Sequence, residues 1–246
     1  MMIPLQEVLI KYGIEPKGVL QVGAHFAEEN EEFEKIGIPN IVYIEPCKSA
    51  YKHLVEKLSI YPYDFVGNNE YVSFGSSKMG SNEIKMVSLL NFACADYDGE
   101  SAMYVSHQNE GQSNSLLNPM LHKEQHPEVI FDDAEVVKVS TLDNLMDKYI
   151  YYITPIDKRD RHNILMIDVQ GAEGLVLKGA TETLKHIDLI YTEINRDYTY
   201  ENNMLIGEME EFLKPYGFEL VEQYWPSPNW SWGDGVFIKK NKNEKK

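Results

Sequence analysis

Val19-Leu20-Gln21-Val22-Gly23-Ala24-His25-Phe26-Ala27-Glu28-Glu29 decides the fold of this chain. The apolar run Gly18–Val22 stops at Gly23, and an acid-rich stretch with helical spacing follows from Glu28 to Lys35. A second apolar run, Ile41-Val42-Tyr43-Ile44, ends at Glu45-Pro46. Strand, glycine turn, helix, strand and acid form a nucleotide-binding half-unit. The turn lets backbone N–H groups approach a ligand, and a carboxylate about twenty residues on accepts hydrogen bonds from ribose hydroxyls. The plain alternative is an ordinary strand–turn–helix that binds nothing.

The dinucleotide fingerprint needs three glycines, and only Gly23 is present; Ala24 and Ala27 stand nearby. No Lys-Ser/Thr pair follows, so the turn is not a phosphate-cradling P-loop. Glu28, Glu29, Glu31 and Glu32 suit a helix N-terminus but would repel a pyrophosphate. A ligand with a ribose, no phosphate and a positive centre fits better, and S-adenosylmethionine is such a ligand. Glu29 is the member of this acid group expected beside the donor.

Of the 246 residues, 43% are hydrophobic, which is enough for one α/β domain with a sizeable core. No apolar run approaches the ~18 residues of a membrane span, and Met1–Lys11 lacks the pattern of a signal peptide. Cys47 and Cys94 are expected as buried free thiols in a reducing, cytoplasmic setting. The net charge of −16 argues against nucleic acid as a partner. The Lys-rich end, Lys239 to Lys246, is expected as a disordered tail. A homo-oligomer is compatible with the sequence.

Along the chain, the spacing predicts an opening helix to Tyr12, strands at Gly18–Val22 and Asn40–Glu45, and a helix at Ala50–Leu58 capped by Ser49. Residues 59–83 are expected as a loop or short hairpin. Ile84–Ala95 and Glu100–Ser106 are read as a hairpin around Asp96-Tyr97-Asp98-Gly99. Residues 107–133 form a long polar loop of the kind that is usually functional. Glu135–Val139, His162–Asp168, Asp188–Glu193, Phe218–Tyr224 and Gly235–Lys239 read as strands. Leu142–Tyr149 (N-capped by Thr141), Ala172–His186 and Met204–Leu213 read as helices. This alternation predicts a mostly parallel, doubly wound sheet with one reversed strand and the ligand at the C-terminal strand ends.

Those strand ends hold the candidate chemistry. Asp168 closes Ile164-Leu165-Met166-Ile167 and is a candidate general base, or else a helix-capping acid. Asp168, Glu193 and Asn195 would make an oxygen set for a divalent metal such as Mg²⁺, or else hydrogen-bond neighbouring loops. His107 and His25 are further candidate bases. Trp225, Trp230 and Trp232, with Asp234, put rings and an acid where a sugar face could stack, or where the last hairpin simply packs.

Gly23-Ala24-His25, Glu45-Pro46, Asn91-Phe92-Ala93, Ser140-Thr141-Leu142-Asp143, Ile167-Asp168-Val169-Gln170-Gly171-Ala172-Glu173 with Leu177-Lys178-Gly179-Ala180, and Thr192-Glu193 occur in that order. Together they resemble the FkbM-type S-adenosylmethionine-dependent methyltransferases over roughly residues 17–239. The resemblance implies a Rossmann-like class I methyltransferase fold with a seven-stranded sheet, and methyl transfer to oxygen. The implied acceptors are sugar hydroxyls of a glycan, a polysaccharide or an activated sugar, with a non-sugar small molecule or non-catalytic binding as alternatives. It implies that Gly23, Ala24 and His25 touch the methionine part of the donor, that Glu45 with Pro46 holds the ribose, and that Asn91 and Ala93 lie near the donor. Asp168 would sit near the methyl, with Glu193 beside it. Gln112, Ser113 and Ser115 resemble a loop that closes on the acceptor, where Gln170, Trp232 and Asp234 are also expected. Gln21 replaces an acid common in relatives, and Ala27 a common glycine.

Overall fold

The computed structural model describes residues 3–59, 64–67, 70–75, 86–151 and 159–240. In chain order its elements are α1 (Leu5–Tyr12), β1 (Val19–Val22), α2 (Asn30–Ile36), β2 (Asn40–Ile44), α3 (Lys48–Leu58), β3 (Asp64–Gly67), β4 (Tyr71–Gly75) and β5 (Met86–Leu90). There follow β6 (Ala93–Cys94), β7 (Gly99–Ser106), α4 (His122–Gln125), β8 (Phe131–Ser140), α5 (Leu142–Leu145), β9 (Ile164–Ile167), α6 (Glu173–Lys178), β10 (Leu189–Asn195), α7 (Ile206–Leu213), β11 (Phe218–Tyr224) and β12 (Trp232–Lys239).

The main sheet has the order β11-β12-β10-β9-β1-β2-β5-β4-β3. From β5 to β11 it contains the seven expected strands. β5, β2, β1, β9 and β10 are parallel, and β12 is the one reversed strand of the seven. The hairpin β3–β4 extends the β5 edge to nine strands. It occupies the region read as a loop or short hairpin, whose residues 60–63, 68–69 and 76–85 lie outside the described ones. The C-terminal tail from residue 241 also lies outside them.

Every residue of β1, β9 and β10 is buried, as a parallel sheet covered on both faces requires. One face packs Leu20, Ile44, Leu165, Ile190 and Phe237 against α5, α6 and α7. The other packs Val19, Tyr43, Leu89, Met166 and Val236 against α1, α2 and α3. Between β1 and β9 the winding direction reverses, and the strand ends open there into a cleft. Among the described residues, no helix is long and apolar enough to cross a membrane.

Three local expectations change. Ile84–Ala95 is not one strand paired with Glu100–Ser106. β5 lies in the main sheet, while β7 pairs with β8 in a second sheet of order β6-β8-β7. The break falls at Asn91, whose Nδ2 donates to the carbonyls of Glu45 and Pro46 and draws the chain aside. The predicted helix Ala172–His186 ends at Lys178, because Gly179 packs against the Ala95 carbonyl, where a side chain would lie at 2.1 Å. Cys47, not Ser49, holds the N-cap position of α3; Thr141 caps α5 as expected, accepting from Asn144 N at 3.1 Å.

Candidate active site

A cleft of about 580 Å³ lies at the C-terminal ends of β1, β2, β9 and β10. Gly23 turns the chain out of β1 with φ +82°, and its N–H and that of Ala24 donate to the Ile44 carbonyl at 3.0 and 3.1 Å. His25 N donates to Glu45 Oε2 at 2.8 Å. The amides at the start of the turn are therefore spent on β2 instead of being offered to a ligand, and their effect is to fix Glu45 at the cleft wall. Glu45 is 6% exposed and its other oxygen accepts from Cys47 N at 2.8 Å. Burial raises its carboxyl to about 7, although both backbone N–H bonds and His25 pull it down.

His25 ties the turn to the long polar loop. Its Nδ1 lies 2.6 Å from Glu28 Oε1 and its Nε2 2.9 Å from the Glu110 carbonyl. Burial lowers the imidazole pKa, but the bonds to Glu28 and Glu110 outweigh it and the net shift is upward. Gln112 and Ser113 line the cleft behind this latch. Ser115 lies behind the wall, its Oγ donating to the Gln170 carbonyl at 2.6 Å.

The acids of β9, β10 and β12 meet on the far side. Gln170, at φ +54°, donates through Nε2 to Asp168 Oδ1 at 2.8 Å and to Glu193 Oε2 at 3.3 Å, and accepts from Tyr200 Oη at 3.1 Å. Asp168 keeps an accessible side chain on the cleft although protein encloses it. That enclosure raises its carboxyl, the Gln170 bond opposes the rise, and Asp234 and Glu29 reinforce it. Glu193 is buried and pushed well above the carboxylate range by desolvation, then by Glu173 and Asp168. Glu173 accepts from Val169 N and Gly171 N, both at 3.1 Å, and burial lifts it to about 7. Asp234, opposite Glu193 in register, accepts from Tyr191 Oη at 2.5 Å.

The polar loop closes the remaining wall. It carries α4 and docks through His122 N to the Thr199 carbonyl (3.1 Å) and Gln125 Nε2 to Ser231 Oγ (2.7 Å). His122 is 5% exposed, its ring among those of His126, Phe131 and Tyr200, and its buried Nδ1 has no hydrogen-bond partner. Trp232 donates through Nε1 to His126 Nε2 at 3.3 Å and stacks on Trp230, centroids 5.2 Å apart.

The sequence profile of the methyltransferase FkbM domain matches residues 21–220. The chain belongs to the FkbM methyltransferase family. The 2-O-methyltransferase NoeI of Sinorhizobium fredii (strain NBRC 101917 / NGR234) is 30% identical over 112 residues, 46% of this chain and 42% of NoeI, so the match spans less than half of that relative. Among solved structures, magnesium protoporphyrin IX methyltransferase (ChlM) from Synechocystis PCC 6803 superposes with TM-score 0.45 at 7% identity over 95% of this chain and 76% of the other. The methyltransferase domain of bacterial CtHen1-C gives 0.46 at 11% identity over 96% of each. The seven central strands of this FkbM domain have the Rossmann-like class I methyltransferase fold.

In this FkbM chain the cleft brings together Gly23, His25, Glu29, Glu45, Pro46, Ala93, Gln112, Ser113, Asp168, Gln170, Glu193, Trp232 and Asp234. Ala24 is buried beneath the turn, and Asn91 clamps the β2 end from outside the cleft. His107 is a correction: its ring is solvent-exposed, 3.4 Å from Asp133, and takes no part in the cleft wall. The metal set also fails to form. Asn195 spends its Nδ2 on Glu193 (2.9 Å) and its Oδ1 on Thr199 Oγ1 (2.8 Å), and Gln170 Nε2 stands between Asp168 and Glu193. Among the described residues, no group of three or more His, Cys, Asp or Glu side chains is arranged to hold a metal ion. His122 and His126 belong to no motif in the sequence; their i, i+4 spacing inside the polar loop is the one local signal that they share a face.

Proposed function

We propose that this chain is an S-adenosylmethionine-dependent O-methyltransferase acting on a sugar hydroxyl. The observation that carries the reading is Glu45, a buried carboxylate fixed at the tip of β2 on the wall of an acid-rich cleft. Each of its oxygens accepts one backbone N–H and keeps a lone pair for a ribose hydroxyl. The cleft suits the donor's positive centre and not a pyrophosphate. Gln21 lines the cleft and its Nε2 donates to Glu29 Oε2 at 2.7 Å, which fixes that carboxylate on the wall where the donor's positive end would lie. NoeI, by its name a 2-O-methyltransferase, supports oxygen as the receiving atom.

In this reading Glu45 and Pro46 hold the ribose, Gly23, Ala24 and His25 shape the methionine end, and Ala93, with Asn91 behind it, flanks the donor. Glu29 and Asp168 face its positive charge. When bound, the donor supplies an activated methyl group. Asp168, with Glu193 coupled to it through Gln170, takes the proton of the acceptor hydroxyl. Gln112, Ser113, Trp232 and Asp234 hold the sugar, Ser115 setting Gln170 from behind. Holding acceptor and donor in line supplies much of the acceleration.

Calorimetry with S-adenosylmethionine and with NAD, followed by transfer of labelled methyl to glycosides, tests this. The expected result is donor binding, no NAD binding, and label in an alkali-stable ether. Nicotinamide binding without donor binding would overturn it.

A further inference from the structure

The charge of the cleft says more about the acceptor than its shape does. Seven carboxylates line it, from Glu28 at the donor end to Asp234 at the other, and among the described residues no Lys or Arg does. Three histidines line it as well, and each is already engaged or enclosed by the protein. His25 is paired with Glu28 at 2.6 Å. His126 is engaged on both ring nitrogens, Nε2 lying 3.3 Å from the Trp232 Nε1 donor and Nδ1 3.4 Å from Glu128. His122 is held neutral by burial, its value lowered to about 4. Arg196, just past β10, spends its guanidinium on the carbonyls of Ser227, Pro228 and Trp230 and on the face of Trp225.

Among the described residues no Lys or Arg lines the cleft to pair with a phosphate or carboxylate on the acceptor, and an anion enclosed among acid side chains is unfavourable. What the acceptor end does offer is Trp232, held by Trp230 and His126, beside the hydroxyl-accepting oxygens of Asp234 and Glu193. An aromatic face with acceptor oxygens at its edge matches the C–H face and hydroxyl rim of a neutral sugar.

Resting on the reading of the protein as a sugar O-methyltransferase, we infer that its acceptor enters as an uncharged glycoside, not as a sugar phosphate or nucleotide-activated sugar. The reaction that supplies this substrate is then a glycosyl transfer. In it the anomeric carbon–phosphate oxygen bond breaks, a bond from that carbon to the receiving hydroxyl oxygen forms, the hydroxyl proton is given up to a base of the glycosyl-transferring enzyme, and the nucleoside diphosphate leaves with the electron pair of the broken bond. Methylation follows it: the sugar hydroxyl oxygen bonds to the donor's methyl carbon as the S–CH₃ bond breaks, the sulfur keeps that electron pair and departs in S-adenosylhomocysteine, and the hydroxyl proton passes to a carboxylate of the cleft.

The test titrates the full chain, saturated with S-adenosylhomocysteine, with four forms each of glucose, galactose and mannose: the methyl glycoside, the 2-amino-2-deoxy methyl glycoside, the 1-phosphate and the UDP-sugar. Tryptophan fluorescence reads binding through Trp232, and labelled methyl transfer reads turnover with the donor. We expect the neutral glycosides to bind at least ~10-fold more tightly than the phosphorylated forms, the amino glycosides to bind as well as the neutral ones, and Glu128→Lys to narrow the gap. Tighter binding of a phosphate or UDP-sugar with normal methyl transfer to it would overturn this inference and leave the proposed function standing. Donor binding with no glycoside bound and none methylated would overturn both.

Discussion

A Cβ at position 23 would fall 1.7 Å from the carbonyl oxygen of Asp168, so the turn after β1 and the end of β9 that carries the proposed base are in backbone contact. Gly23 is demanded by the protein itself, not only by a ligand. Gly23→Ala is therefore expected to cost at least about 3 kcal/mol, through a left-handed φ and a backbone clash together. Gly207→Ala, in α7 with nothing within 4 Å, should instead raise stability by about 0.5–1 kcal/mol. Denaturant melts of the two variants check this; a Gly23→Ala protein as stable as the parent but blind to donor would show that the glycine serves the ligand alone.

The acids of the cleft make stability depend on pH. Burial raises Glu45 and Glu173 to about 7 from an ordinary 4.5. Between those values the folded chain holds protons that the unfolded chain has released, so stability falls as pH rises, and the benefit is gone above about 7. The melting temperature is expected to be higher at pH 5.5 than at pH 8. Glu173→Gln, whose Oε1 still accepts both Val169 N and Gly171 N, should shrink that difference. An unchanged slope in the variant would remove Glu173 from the effect.

Much of this fold is legible because buried parallel strands read as short apolar runs. Gly18–Val22, Ile41–Ile44 and Ile164–Ile167 each stop at the glycine or acid that marks a strand end. The mostly parallel sheet with one reversed strand, and Glu45 at a strand end, follow from that pattern. The run from Ile84 to Ala95 misleads because its break is tertiary: nothing local reveals that Asn91 will clamp two carbonyls of the β2 end. His107 and His122 look alike in a polar loop. Only docking of that loop on Thr199 and Ser231 buries one and leaves the other paired with Asp133 at the surface.

The latch between His25 and Glu110 should control access to the cleft. His25→Asn tolerates the positive φ of 44° but cannot reach the Glu110 carbonyl. Faster amide exchange over residues 107–114 is expected, with a stability loss near 1 kcal/mol and weaker donor binding. Exchange in that stretch unchanged from the parent would mean that the loop is held by Ser115 and the β7 pairing instead.

A chelator should leave turnover as it was. Asn195 faces Thr199 and Glu193, and the amide of Gln170 lies between the two acids that a divalent ion would bridge. Loss of activity with EDTA, restored by Mg²⁺, would contradict this arrangement.

Asp168 and Glu193 share the Gln170 amide, so their roles separate only by comparison. Asp168→Asn removes the proposed proton acceptor at the open end of the pair and is expected to lower kcat by about 10² or more, with donor affinity within a few-fold of the parent. Glu193→Gln leaves Asp168 in place and removes a buried acid; it should cost less in kcat while raising the melting temperature at pH 8, where the unfolded chain has released the proton that burial makes the folded chain retain. If Glu193→Gln proves the more damaging to kcat, the proton leaves through β10 and Asp168 orients the acceptor.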